Sequence, residues 1–184
     1  MICLTGERLL LRTISEAEAV PVLDYYARNK KFLSLWEPMR TEEFYTLAAQ
    51  QEQLAYDLKE MDEGRLVRTW IFEKDRPDQI IGSIALSNIV RGAFQSCHLG
   101  YKLDEKKARQ GYMTEALNLM IGYAFKNLQL HRIEANIIPR NQASMKTAEK
   151  LGFYQEGLAL KYLKINGRWE DHIHMVLRNR EMEV

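Results

Sequence analysis

Cysteine is scarce. Only Cys3 and Cys97 occur in 184 residues. Neither belongs to a C-x-x-C pair, and two cysteines make no disulfide framework, so a reduced, cytoplasmic setting is expected. No apolar run approaches the roughly 18 residues of a membrane-spanning helix. Glu7, Arg8 and Arg12 come too early for a signal peptide. There is no excess of one charge: 26 Lys and Arg stand against 25 Asp and Glu, a net charge of +1. Bulk attraction to nucleic acid or to a membrane surface is therefore not expected. No Gly-Lys-Ser/Thr occurs, which excludes a P-loop, and no G-x-G-x-x-G follows an early strand, which disfavours a dinucleotide site. His172-x-His174 puts two imidazoles on one face of a strand, but no third ligand is evident, so no metal is expected.

What is present suits one domain over residues 1–184, since two would each be small. Hairpin and helix signals alternate along the chain. The patterns predict a strand over 7–14, a helix from the Ser15/Glu18 capping box to about Lys30, and a second helix over 41–62 closed by Gly64. In the first of these helices Val20, Leu23, Tyr26 and Ala27 are expected inward. A hairpin over 66–86 should turn at Asp75-Arg76-Pro77-Asp78, with 88–94 a connection. Further strands are expected over 96–103, 131–138, 153–165 and 169–177, the last two joined by an Asn166-Gly167 turn. Helices should cover 112–127 and 141–152. The sheet should be mixed and mostly antiparallel, flanked by helices.

Leu99–Leu117 is the most informative stretch. A strand leads through a charged loop into a helix that starts after Gly111. A helix N-terminus carries unpaired N–H groups and partial positive charge, so it can hold a phosphate by backbone alone. Glycine there lets an oxygen approach the main chain. Lys106, Lys107 and Arg109 add positive charge around the mouth.

Ala108-Arg109-Gln110-Gly111-Tyr112-Met113 resembles the acyl-CoA loop of the GNAT acetyltransferases, [Q/R]-x-x-G-x-[G/A], with Ala108 and Met113 departing from the usual residues. The following Thr114-Glu115-Ala116-Leu117 is similar to the RimJ/RimL branch. So are Leu-His-Arg-Ile over 130–133, Asn141-x-x-Ser144, Lys150-Leu151-Gly152-Phe153, Trp36-Glu37-Pro38, 86–92 and Asn166-Gly167-x-Trp169-x-Asp171-His172. The resemblance implies the GNAT fold, acetyl-CoA as donor, and an α-amino group as acceptor, in particular that of an N-terminal alanine of a ribosomal protein. It implies a donor site of Tyr101, Lys102, Leu103, Arg109, Gln110, Gly111, Tyr112, Met113, Thr114, Asn141 and Ser144. Trp36, Asn88 and Arg91 are the expected acceptor contacts. A monomer or homodimer is compatible with it.

Transfer from a thioester needs a neutral amine. An α-amine titrates near 7.7–8.0 and a lysine amine near 10.4, so the α-amine is easier to prepare by roughly 3 kcal/mol. A modest base then suffices. By resemblance Glu156 is the first candidate, with Glu134 its rival and a strand surface role the alternative for each. Ser144 is placed to contact the leaving sulfur, and it equally fits first-turn capping three residues after Asn141. Asn141 fits both an N-cap and a pantetheine contact. Two other functions remain open: acetylation of a small-molecule amine such as a polyamine, amino acid or antibiotic, and acyl-CoA sensing without turnover.

Overall fold

A computed structural model describes residues 1–183 of the chain. One sheet runs through the molecule in the order β1-β2-β3-β4-β5-β6-β8-β7. Its strands are β1 (Cys3–Thr5), β2 (Leu9–Arg12), β3 (Val67–Glu73), β4 (Arg76–Val90), β5 (Ser96–Leu103), β6 (Arg132–Ile137), β7 (Tyr154–Ile165) and β8 (Arg168–Arg178). Helices α1 (Ala19–Leu33), α2 (Leu47–Asp62), α3 (Tyr112–Lys126) and α4 (Gln142–Lys150) cover its two faces. Every strand pair is antiparallel except β5 with β6.

That parallel pair organises the molecule. β5 and β6 pair only at Ser96–His98 against Arg132–Glu134. Beyond His98 and Glu134 the strands diverge, although β5 continues to Leu103 and β6 to Ile137. The β5 edge from Leu99 onward thus faces a cleft rather than a neighbouring strand. Strand alternation sorts side chains to either side of it. Cys97, Leu99, Ile133 and Ala135 join the core beneath α3 and α4. His98, Lys102, Glu134 and His174 belong to the opposite face. Lys102 there meets Tyr26 of α1 and Glu37, which follows α1.

Several boundaries differ from those expected. β1 is an additional strand, and the β3–β4 turn falls at Lys74-Asp75, so Arg76 and Pro77 already belong to β4. Asn88 is also within β4, at positive φ, beside a register shift against β5. The 16–18 and 42–45 segments are single 3-10 turns ahead of α1 and α2. The largest correction concerns α1. Val20 is exposed and Ala27 also faces out, while Ala19, Val22, Tyr25, Tyr26, Asn29 and Leu33 are buried.

Asn29 fixes that phase. Its amide donates to the Tyr25 carbonyl at 3.0 Å and to Asp104 at 3.2 Å, and its Oδ1 accepts the Glu105 N–H at 3.0 Å. Asp104 also binds Arg28 at 2.8 Å and the Lys106 N–H at 2.9 Å. Burial would raise the Asp104 carboxyl, but these bonds outweigh it and hold the group below the usual carboxylate range. A depressed carboxylate contributes stability above its unfolded pKa, near 3.9, and loses it as pH falls through the folded value. Acid titration of folding should therefore show a loss below about pH 4 that Asp104→Asn removes, as read by denaturant midpoints.

Candidate active site

The start of α3 is built for an anion. Arg109 and Gly111 both take positive φ, at 63° and 80°. Gly111 is the N-cap residue, and no side chain caps the helix there. The Glu115 N–H is the first to close back, onto the Gly111 carbonyl at 3.1 Å. The N–H groups of Tyr112, Met113 and Thr114 are left for a ligand. A Cβ at Gly111 would meet only Arg8 Nη2, at 3.4 Å. Around this mouth, however, Lys107 is spent on Glu73 at 2.6 Å. Gln110 donates to the Lys106 carbonyl at 2.8 Å, so its side chain is tied back into the loop.

Glu115 and Arg8 clamp this end of α3 to the beginning of β2. Glu115 accepts the Arg8 N–H at 2.8 Å, the Arg8 guanidinium at 2.9 Å and the Leu9 N–H at 3.2 Å. Arg8 also donates to the Gln110 carbonyl at 3.0 Å and lies over the Tyr112 ring at 4.5 Å. Gly6 permits the approach, since a Cβ there would fall 2.6 Å from Glu115 Oε1. Nothing in the sequence alone marks this clamp, because its two halves are about a hundred residues apart.

A cavity of about 200 Å³ lies along the end of β5, between the starts of α3 and α4 and the end of α1. Tyr101, Lys102, Leu103, Arg109, Met113, Asn141 and Ser144 line it, together with Trp36 and Glu37 from the segment after α1. The structure thus gathers most of the expected donor residues in one place. Asn141 Oδ1 accepts the Ser144 N–H at 3.2 Å and caps α4. The Ser144 hydroxyl is 2.9 Å from the Tyr101 hydroxyl. Burial pushes the Tyr101 phenol up, so it stays protonated. The freed β5 edge, the uncapped helix start and this polar wall fit an elongated ligand with phosphates at one end.

A second polar group lies where β5 and β6 part. Glu134 Oε1 accepts from His174 Nδ1 at 2.7 Å and is 3.8 Å from His98 Nε2. Arg132 bridges Glu134 and Glu156, at 2.7 Å to each. The Tyr154 hydroxyl donates to Glu156 at 2.8 Å. Burial would raise Glu134, but Arg132 and His174 hold it below the usual range. The Arg132 bond is the main reason that Glu156 is also low. Asn88 binds His98 Nδ1 at 3.0 Å. Arg91 is not brought to this place: its guanidinium binds the Leu128 carbonyl, just after α3. Glu37, from the Trp36-Glu37-Pro38 motif, lines the cavity, whereas His98 comes to Glu134 with no motif of its own to mark it. Strand alternation from Lys102 back to His98 was the available signal. Among the described residues no group of three His, Cys, Asp or Glu side chains is arranged to hold a metal ion.

The model of the acetyltransferase (GNAT) domain family matches residues 8–154. A [ribosomal protein uS5]-alanine N-acetyltransferase of Escherichia coli K12 is 38% identical over 170 residues, 92% of this chain and 87% of that protein. A probable N-acetyltransferase of Bacillus subtilis 168, YjcK, is 36% identical over 180 residues, 98% of this chain and 99% of its own length. The crystal structure of a ribosomal-protein-S5-alanine acetyltransferase from Vibrio fischeri superposes with a TM-score of 0.92 at 37% identity, covering 97% of each chain. RimJ of Mycobacterium smegmatis, solved with CoA-disulfide, also gives 0.92, at 25% identity over 100% of this chain and 90% of that one. With the phosphate-ready helix start opening onto a split parallel strand pair, these likenesses place the chain in the GNAT acetyltransferase family, as an acetyl-CoA-dependent N-acetyltransferase.

Proposed function

We propose that the chain, acting as one domain, transfers the acetyl group of acetyl-CoA to the α-amino group of a protein N-terminus, in particular an N-terminal alanine of a ribosomal protein. The observation that carries this reading is the polarity of the cleft. The uncapped start of α3 is read as the anion end, and the carboxylate pair sharing Arg132, where β5 and β6 part, as the amine end. The likeness to two S5-alanine acetyltransferases, at 37% and 38% identity over more than nine tenths of the chain, supports the choice of acceptor. Gly111 with the first-turn amides, Arg109 and Asn141 are read as holding the donor. Trp36, Lys102 and Asn88 are read as bordering the acceptor.

In this reading the amine attacks the thioester carbon and the carbonyl oxygen takes up negative charge. A backbone N–H of Lys102 or Leu103 on the freed β5 edge meets that oxygen, a contribution of about 3 kcal/mol. Ser144 and Tyr101 stand by the departing sulfur, and the polar group of Glu134, Arg132, Glu156 and His174 is where the proton of the amine is received. Ser144→Ala is expected to slow transfer by about tenfold, less than loss of a general base would. A fully active variant would leave Ser144 as part of the α4 start only.

The test is acetyl-CoA turnover, followed as free thiol, with three acceptors. These are an alanine-starting peptide, the same peptide with a blocked N-terminus and an internal lysine, and spermidine. Turnover confined to the free N-terminus supports the proposal. Turnover on spermidine moves the enzyme to small-molecule amines. Tight acetyl-CoA binding without any turnover points to a sensor.

A further inference from the structure

Two histidines flank Glu134, and their hydrogen bonds make them different. His98 Nδ1 lies 3.0 Å from the Asn88 side-chain nitrogen, which can only donate. His98 therefore accepts at Nδ1 and carries its proton on Nε2, the nitrogen that faces Glu134 at 3.8 Å. It has no lone pair left to offer. His174 is the reverse case. Its Nδ1 lies 2.7 Å from Glu134 Oε1, and a carboxylate can only accept, so the proton is on Nδ1. Its Nε2 keeps a free lone pair on the opposite edge of the ring, and no hydrogen bond to protein engages it among the described residues. The His174 side chain is 24% exposed. The Tyr162 ring lies against it at 5.1 Å and limits how the imidazole can tilt.

We infer that His174 is the general base, taking a proton from the substrate ammonium at Nε2, and that Glu134 is a positioning residue that fixes its tautomer. This deepens the reading under Proposed function and rests on it. The carboxylates themselves suit the task poorly. An ordinary glutamate titrates near 4.3 and an α-ammonium near 7.7–8.0, a gap of more than three pH units. The bonds to Arg132 widen that gap for both Glu134 and Glu156. An imidazole nitrogen with an unengaged lone pair can take that proton directly. The groups that face the imidazole are Glu134 on β6, Tyr162 on β7 and His172 on its own strand, and His98 on β5 reaches it through Glu134. Arg132 and Glu156 act on it through Glu134.

The proton balance closes. The ammonium gives one proton to Nε2. The nitrogen lone pair then forms the C–N bond, and the C–S bond breaks with its electron pair going to sulfur. The nitrogen's remaining surplus proton ends on the thiolate, and His174 returns its own to water. The products are an amide, a thiol and one proton.

The experiment is a pH profile of kcat/KM on the alanine-starting peptide, paired with nitrogen NMR of the histidine rings. His174→Gln is expected to lower kcat by at least about a hundredfold, to leave acetyl-CoA affinity unchanged, and to remove the acidic limb. Glu134→Gln keeps an oxygen that can accept from Nδ1 but removes the charge. It should cost about tenfold and move the acidic limb to lower pH, an effect that a purely structural role would not produce. The spectra should show His174 protonated on Nδ1 and His98 on Nε2. A fully active His174→Gln variant, an acidic limb that survives it, or a His174 ring protonated on Nε2 would each overturn the inference. If the wild-type enzyme leaves every free N-terminus untouched, the acceptor reading fails instead, and the tautomer of His174 still decides this one.

Discussion

Gly111→Glu should abolish acetyl-CoA binding, raising the dissociation constant measured by calorimetry by at least about a hundredfold, or roughly 2.7 kcal/mol. Two effects add. At φ +80° an L side chain is strained by about 1–2 kcal/mol, and relief of that strain would disturb the loop. A carboxylate would also occupy the end of α3 that attracts anions and would repel the diphosphate. Arg8 is near enough to meet the new side chain, at 3.4 Å from the Cβ position, but it is already engaged by Glu115 and the Gln110 carbonyl. Gly111→Ala carries the strain without the charge and should weaken binding less. Unchanged affinity in the glutamate variant would sink the assignment of the loop.

The second large effect is expected at Glu115. Glu115→Leu removes three hydrogen bonds and leaves the Leu9 N–H, on a fully buried residue, without its partner. Hydrogen bonds to charged groups contribute about 1.5–3 kcal/mol each, and an unsatisfied buried donor costs about as much. Because the contributions are not independent, a total near 3 kcal/mol is expected, and partial exposure of Arg8 keeps it from being larger. For a chain of this size that corresponds to a fall in Tm of roughly 6–12 °C, read by calorimetry. Donor affinity should fall with it, because Arg8 then no longer holds the Gln110 carbonyl ahead of Gly111. A Tm within about 1 °C of wild type would show that the clamp is not structural.

The C-terminal half was legible in the sequence almost to the residue. β5, α3, β6 and the β7–β8 hairpin each carry a strong local signal: an apolar run, a helical period, or an Asn-Gly turn. The errors share a different origin. The inward stripe of α1 does include Tyr26 as expected, but Val20 and Ala27 were misplaced because the stripe also contains Asn29, a polar residue whose partners, Asp104 and Glu105, are some 75 residues away. β1 has three residues and only one partner strand, so no periodicity marks it. The residues expected at the donor site lie on contiguous motifs, and most of them line one cavity. Glu134 was a candidate from its own motif, but its company with His98 and His174 was not legible, because the three come from three strands and meet only through their register.

The pair Glu134 and Glu156 holds two negative charges with only Arg132 bonded to both, and Arg178, the next cation, is itself paired with Glu183. On the proposed reaction, the incoming amine is a cation and the outgoing amide is neutral. The same charge imbalance that draws the substrate in has nothing to hold once acetylation is complete, so turnover itself lowers the affinity for product. Association should then weaken with added salt, whereas release should not.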